Sequence, residues 1–356
     1  MKKCLKFLFV LVIAAIIGLC CLYRYFECNP IHMGGGGPSD SPPARCYAKE
    51  QEQQRKTQMA QLEQLAALEF TCKKEVQPPL SEETQQLYNY ALYHDLHNMW
   101  TGDKGDEVWN GLARYYRIAA ANGDYKANVR LQYLLNTGRI STDMPQTEVY
   151  NLNEELAKQL PATAYYNLYG YLDEDYGVRT EEGGKYAYLR KAADLGSREA
   201  QYTVAEMLAD IEDKEETQEA FKYRLNLVKQ LRSCASEQGL GEVSSNLGIS
   251  LQMDKKYQEA LKVFHQGVKN GDSISALVLS HAFESGVQAD NLNFLDVSPD
   301  DERVKRYHMI SSYLSRYDYL QPKVPDLDDI VPLPPAKLPK WDGKIAFQRW
   351  YEGEAP

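Results

Sequence analysis

The sequence predicts an all-α fold, a right-handed α-solenoid of helix-turn-helix repeats. Two observations carry that reading. A small–small–x–x–Gly–x–x–x–small pattern recurs along the chain, and apolar stripes at helical spacing flank it. The pattern appears as Ala119, Ala120, Gly123, Ala127 and as Ala192, Ala193, Gly196, Ala200. It returns as Ala235, Ser236, Gly239, Val243, and more weakly as Gly267, Val268, Gly271, Ser275. Gly123 and Gly196 lie 73 residues apart, roughly two periods of a helical repeat of 34–40 residues. The next two intervals are 43 and 32, so the array is irregular. Paired small residues let the following helix cross closely. Glycine ends the first helix because that position often needs φ > 0. A single pair cannot bury its apolar face, so units stack.

The elements follow in order. Residues 1–25 read as a membrane anchor. Lys2, Lys3 and Lys6 precede an apolar run from Phe7 to Tyr23, the short end of what spans a bilayer. With no small-x-small cleavage site, an uncleaved anchor is expected, its basic end cytoplasmic and the rest outside. In a bacterium this makes a single-pass inner-membrane protein facing the periplasm. Cys20 and Cys21 keep a periplasmic lipoprotein open as the alternative, although no small residue precedes either. Residues 26–46 form a Gly/Pro-rich linker, with four glycines at 34–37.

Residues 47–80 read as a Gln-rich lead-in helix, striped by Met59, Leu62, Ala66 and Phe70, followed by a loop. The repeat array spans 81–317, with five or six helical pairs. Ser81 is placed to cap a helix carrying Leu87, Tyr90, Ala91 and His94 on one face. Midway between the first two glycine corners, Leu160-Pro161-Ala-Thr-Ala164 uses proline as the break. Further stripes are Tyr165, Leu168, Leu172; Tyr257, Ala260, Leu261, Phe264; and Tyr307, Ile310, Leu314, Tyr317, the last after a Ser298 cap and Pro299. Residues 318–356 form an extended Pro-rich tail. Its Ile330, Val331, Leu333, Leu338, Trp341, Phe347 and Trp350 are too many large apolar groups for a disordered segment, so it is expected to pack on the solenoid.

Chemistry is sparse. The net charge of −10 argues against a nucleic-acid partner, which would need clustered Lys and Arg. It suits a protein with a basic surface. No P-loop, dinucleotide fingerprint or G-x-S-x-G occurs, so no catalytic or cofactor-binding residue is assigned. His94 and His97 are three apart on one helix but lack further ligands nearby, so packed or surface histidines are expected rather than a metal site. Two readings of Cys234 stand: a disulfide with Cys72, or a small buried residue on a helix. Asp173, Glu174 and Asp175 cluster at one interhelical joint; Asp210, Glu212 and Asp213 cluster at the next equivalent one. Successive repeat loops align, so these carboxylates form either an acidic ridge or ordinary solvated loop charge. Tyr166 and Tyr169 are candidates for outward-facing contact residues.

The stretches ARYYRIAAANGDYKA and GGKYAYLRKAADLGSREAQY resemble the Sel-one-like repeat, a relative of the tetratricopeptide repeat. From EFTCKKEVQPPL through DLDDIVPLPPAKLPKWDGK, residues 69–345, the chain resembles a bacterial envelope family built on such repeats. Its members are often predicted beside phospholipase-type toxins of the type VI secretion system. The resemblance implies a cognate immunity protein that binds the toxin in the periplasm. It implies no catalytic residue. The alternative on the same repeats is an envelope scaffold or regulatory adaptor.

Overall fold

In the computed structural model of the chain, residues 69–99, 104–180, 184–211 and 216–356 are described, all within a compact unit spanning Leu65–Pro356. The expected anchor, linker and most of the lead-in helix lie outside the described residues, as do Glu212 and Asp213. Among the described residues, no helix is long and apolar enough to cross a membrane.

Every regular element described is helical: α1 Glu82–His97, α2 Lys104–Ala121, α3 Tyr125–Asn136, α4 Pro145–Ala157, α5 Pro161–Asp173, α6 Gly184–Leu195 and α7 Arg198–Ala209. Then come α8 Gln218–Glu237, α9 Gly241–Met253, α10 Tyr257–Lys269, α11 Ser273–Ala282 and α12 Asp301–Arg316. A 3₁₀ turn, Asp318–Leu320, and two short helices, α13 Leu327–Ile330 and α14 Ala346–Tyr351, punctuate the tail. Each helix packs on its neighbours in sequence, which makes a solenoid. Five pairs (α2/α3, α4/α5, α6/α7, α8/α9, α10/α11) are joined by the tight corners that the sequence pattern marks. α1 precedes them and α12 follows.

The corners form as their residues dictate. Gly123, Gly196, Gly239 and Gly271 all have φ between 89° and 109°. After each comes a helix start, and Asp124, Ser197 and Asp272 cap theirs by accepting from backbone N–H groups. Ala119, Ala127, Ala192, Ala200 and Ala235 are fully buried at these crossings. Ser81 caps α1 through Thr84 N. The cap of α12 is not Ser298. Asp300 accepts from Arg303 N, and the helix begins two residues later than its proline suggests. Asp300 prevails because its short carboxylate reaches an N–H that the hydroxyl two residues earlier cannot.

Stripe burial is uneven. Phe264, Tyr307, Ile310 and Leu314 are buried in one core cluster. On α5 the expected Tyr165, Leu168, Leu172 stripe is only half-buried, and Ala162, Ala164, Tyr169 and Tyr171 go inside. Because α5 lies between α4 and α6, a single stripe does not describe its core face.

The tail is not uniformly extended. Val324, Leu327, Ile330, Val331 and Ile345 are buried in the α9–α12 core cluster. Two buried arginines of α12 fasten it. Arg306 donates to Ile330 O at 2.6 Å, and Arg303 donates to Pro332 O and Ala336 O at 3.0 and 2.6 Å. The tail then reaches α1. Tyr93 OH donates to Gly353 O at 2.9 Å, and the His97 ring stacks on Tyr351 with centroids 4.1 Å apart. The first and last long helices of this unit are thus tied through one terminal segment.

Candidate protein-interaction surface

A helical array presents two edges. One carries the tight corners; the other carries the longer loops. The corner edge is largely occupied by the chain itself. Residues 69–80 have no regular structure and run across it as a strap. Glu75 N–H donates to Gly196 O at 3.3 Å. A Cβ on Gly196 would lie 2.7 Å from Glu75 N and 2.9 Å from Lys74 C. Glycine is needed there both for φ and for the strap's backbone.

Several side chains seat the strap. The Glu75 carboxylate accepts from the N–H groups of Ala162 and Thr163 at 2.6 and 3.1 Å. Those are orphan donors of the first turn of α5, where the helix dipole favours negative charge. Lys73 O accepts from Gln201 Nε2 at 3.0 Å, Gln77 Oε1 accepts from Tyr125 OH at 2.8 Å, and Lys74 pairs with Glu237 at 2.7 Å. A disulfide joins Cys72 to Cys234, with Cα atoms 5.6 Å apart. At the next corner the tail takes over. Val324 N–H donates to Lys269 O at 3.0 Å, and Gly271 lies directly against Pro322 O.

The loop edge carries the acidic candidates. Asp173, Glu174, Asp175 and Asp210 are all exposed, at the C-terminal ends of α5 and α7. They do not form an unrelieved ridge, because Asp173 is paired with Lys185. Asp175 borders a cleft of about 770 Å³ that also exposes Arg179, Lys185 and Gln146. The same edge holds Glu216 against the buried Arg224 guanidinium, whose hydrogen bonds pull the Glu216 carboxyl below its ordinary range. Among the described residues of this edge, Glu174, Asp175 and Asp210 are exposed carboxylates.

Of the two tyrosine candidates, Tyr169 is buried, and burial above all pushes its hydroxyl's pKa up. It packs near Tyr166 and Tyr186, with centroids 6.0 and 6.4 Å away, and is not an outward contact. The run Tyr165 to Tyr171 has no clean apolar stripe, so the sequence does not separate inner from outer rings. Tyr166 is half-buried and shares a 3.3 Å hydrogen bond with Thr203 Oγ1.

His94 and His97 pack among aromatic rings: His94 against Tyr90, and His97 against Tyr93 and Tyr351. Among the described residues, no cluster of His, Cys, Asp and Glu could hold a metal ion. The residue between them is the one that matters structurally. Asp95 is fully buried and accepts from Trp109 Nε1 (2.9 Å), Tyr116 OH (2.8 Å) and both Arg130 Nε (2.7 Å) and Nη2 (3.0 Å). These four hydrogen bonds, from three residues, tie α1 to α2 and α3. Nothing in the sequence pairs it with Arg130, 35 residues on. An aspartate on the apolar side of α1 was the one available signal.

A family model described as a domain of unknown function, DUF6396, matches residues 275–356, that is α11 through the tail. No curated protein matches the chain. Solved structures do. The protein titled Pseudomonas aeruginosa 5086 (PA5086) aligns over 75% of this chain and 95% of its own, with a TM-score of 0.52 and 22% identity. Immunity protein Pa5087 from Pseudomonas aeruginosa gives 0.50 and 23% over 75% and 95%. Immunity protein PA5088 from the same organism gives 0.53 and 20% over 75% and 94%. The chain therefore has the helical-repeat fold of these Pseudomonas aeruginosa proteins, two of which are titled immunity proteins.

Proposed function

We propose that this chain is an immunity protein: a helical-repeat binding module that neutralises a toxic effector by direct contact. The observation that carries this is the shared fold. Three quarters of the chain aligns with nearly the whole of two solved immunity proteins. A repeat array of this kind offers long edges and a curved surface rather than a catalytic pocket, which suits recognition of another protein. The resemblance read from the sequence adds the target class, a phospholipase-type effector of the type VI secretion system.

The place of action is the periplasmic side of the inner membrane. Support comes from the basic-then-apolar segment at residues 1–25. A disulfide between Cys72 and Cys234 also fits an oxidising compartment. The exposed Glu174, Asp175 and Asp210 supply charge that would meet a basic patch on the effector.

The test is coexpression of the full-length chain with a phospholipase-type effector of the type VI secretion system from the same genome, the effector being directed to the periplasm. Survival of the host, together with a complex that copurifies, supports the reading. Equal killing with and without the chain, when both proteins are present in the periplasm, refutes it.

A further inference from the structure

The corners of the array are not equally covered. Two residues before each corner glycine sits a position whose side chain stands at the end of the first helix. At three corners it is charged and engaged. Asp194 pairs with Arg190 at 2.6 Å, Glu237 with Lys74 of the strap at 2.7 Å, and Lys269 with Asp328 of the tail. At the first corner the same position is Ala121. A Cβ added to Gly123 there would meet nothing within 4 Å, whereas Gly196 and Gly271 lie against backbone.

The space so left is a cleft of about 510 Å³ between the end of α2, the loop before α4, and α4 itself. Its floor is apolar: Ala120, Ala121 and Leu152. Met144, which lines it, is 65% exposed. Of the four charged groups on the walls three are acidic, beside the neutral Asn128, Thr142, Thr147 and Asn151. Glu148 is held by Arg117 in a two-point pair, Nε to Oε1 at 2.7 Å and Nη2 to Oε2 at 3.1 Å. Asp143 and Glu155 add two more carboxylates. Lys158 binds Glu155 from outside, but both side chains are about two thirds exposed, so that pair is weak and a competing cation can replace it. Three carboxylates against Arg117 and the loosely held Lys158, over an apolar floor, leave room for an amphipathic cation, whose alkyl stem packs while its charged head meets the acids.

We propose that this cleft takes an arginine or lysine side chain, flanked by an apolar residue, from a surface loop of the protein the array neutralises. This rests on the immunity reading above and says where and how the partner is held. An arginine head can chelate a wall carboxylate bidentately, and its stem covers Leu152 and the two alanines.

The experiment measures binding of the full-length chain to a phospholipase-type effector of the type VI secretion system from the same genome, made catalytically inactive. Two variants test the cleft. Ala121→Trp fills it, and the double reversal Asp143→Lys with Glu155→Lys inverts its charge. Leu292→Ser, on a loop far along the chain and 91% exposed, is the control. Both cleft variants should weaken binding at least tenfold, the reversal chiefly through slower association at low salt, with the control unchanged. Thermal melts of each variant identify any that misfold, and the other then decides. Wild-type affinity in both variants overturns the cleft and leaves the immunity reading standing. Loss with Ala121→Trp but not with the reversal overturns the cationic occupant. Absence of binding by the wild-type chain overturns both.

Discussion

Breaking the Cys72–Cys234 bond should loosen the strap and lower stability in a way that reductant alone can reproduce. The bond closes a loop of 162 residues. In the chain-entropy treatment a loop that long removes about 17 cal/mol/K from the unfolded ensemble, or about 5 kcal/mol at 25 °C, as a ceiling. Native disulfides usually deliver about 2–4 kcal/mol, and the strap's remaining bonds to Gln201, Tyr125 and the α5 N-terminus survive the change. Cys72→Ser is therefore expected to cost about 2–4 kcal/mol. Cys234→Ser should cost slightly more, because Cys234 is buried and a hydroxyl replaces it. The assay is urea unfolding of the full-length chain, with and without a reductant, followed by helical signal. Hydrogen exchange of residues 70–80 gives the local reading, since stability in a repeat array is local. Wild type with reductant should unfold like Cys72→Ser, and Cys72→Ser should ignore reductant. A wild-type midpoint that does not move on reduction would refute the reasoning.

Three other outcomes are expected. Asp95→Ala leaves the Arg130 guanidinium, the Tyr116 hydroxyl and the Trp109 N–H without their acceptor, and should cost about 3–5 kcal/mol in urea unfolding; Asp95→Asn should cost less. Gly196→Ala and Gly123→Ala both force a side chain to positive φ, for about 1–2 kcal/mol. Only Gly196→Ala also displaces the strap, so it should cost about 1–3 kcal/mol more and expose residues 72–76 to protease. Burial, opposed by the hydrogen bond to Asp328, holds His265 below the ordinary imidazole pKa. The unfolded chain thus takes up its proton first, and stability should fall as pH drops through about 6.5 until the folded ring titrates; His265→Gln should remove that part of the slope between pH 8 and 5.

The fold was legible where local chemistry decides it. Gly123, Gly196, Gly239 and Gly271 end helices at positive φ, as the pattern requires, and Ser81 caps where its position says. Among features set by distant contacts, the Cys72–Cys234 bond was one of two readings and the packing of the tail was expected, but most others were not legible. The strap has no periodicity, and its partners Ala162, Gly196, Gln201 and Tyr125 lie about 50 to 130 residues away in sequence. Tyr169 and Tyr166 are alike as letters, and only the packing of α5 between two neighbours sends one inside. Asp95 carries no motif in the sequence, whereas the fold uses it as the acceptor for donors from α2 and α3. The acidic candidates were legible as loop charge, but the pairing of Asp173 with Lys185 was not, because that lysine belongs to the next helix.

The covering of the corner edge bears on recognition. From Cys72 to Leu80, and again from Pro322 to Val324, the chain satisfies its own corner groups with backbone and carboxylate contacts. A partner gains little there, since it would have to replace hydrogen bonds already made, one anchored by a disulfide. What is left for a partner is surface the chain does not cover: the open first corner with its cleft, and the loop edge with Glu174, Asp175 and Asp210. Both carry exposed carboxylates, and under the proposed function these would meet a basic partner of a chain of net charge −10. Salt separates this from a shape-only interface. If charge guides the encounter, raising ionic strength from about 0.01 to 0.15 M shortens the screening length from about 30 to about 8 Å. Association should then slow by tenfold or more while dissociation barely changes. An association rate indifferent to salt would place recognition on the apolar surfaces instead, and the acidic edge would be solvation alone.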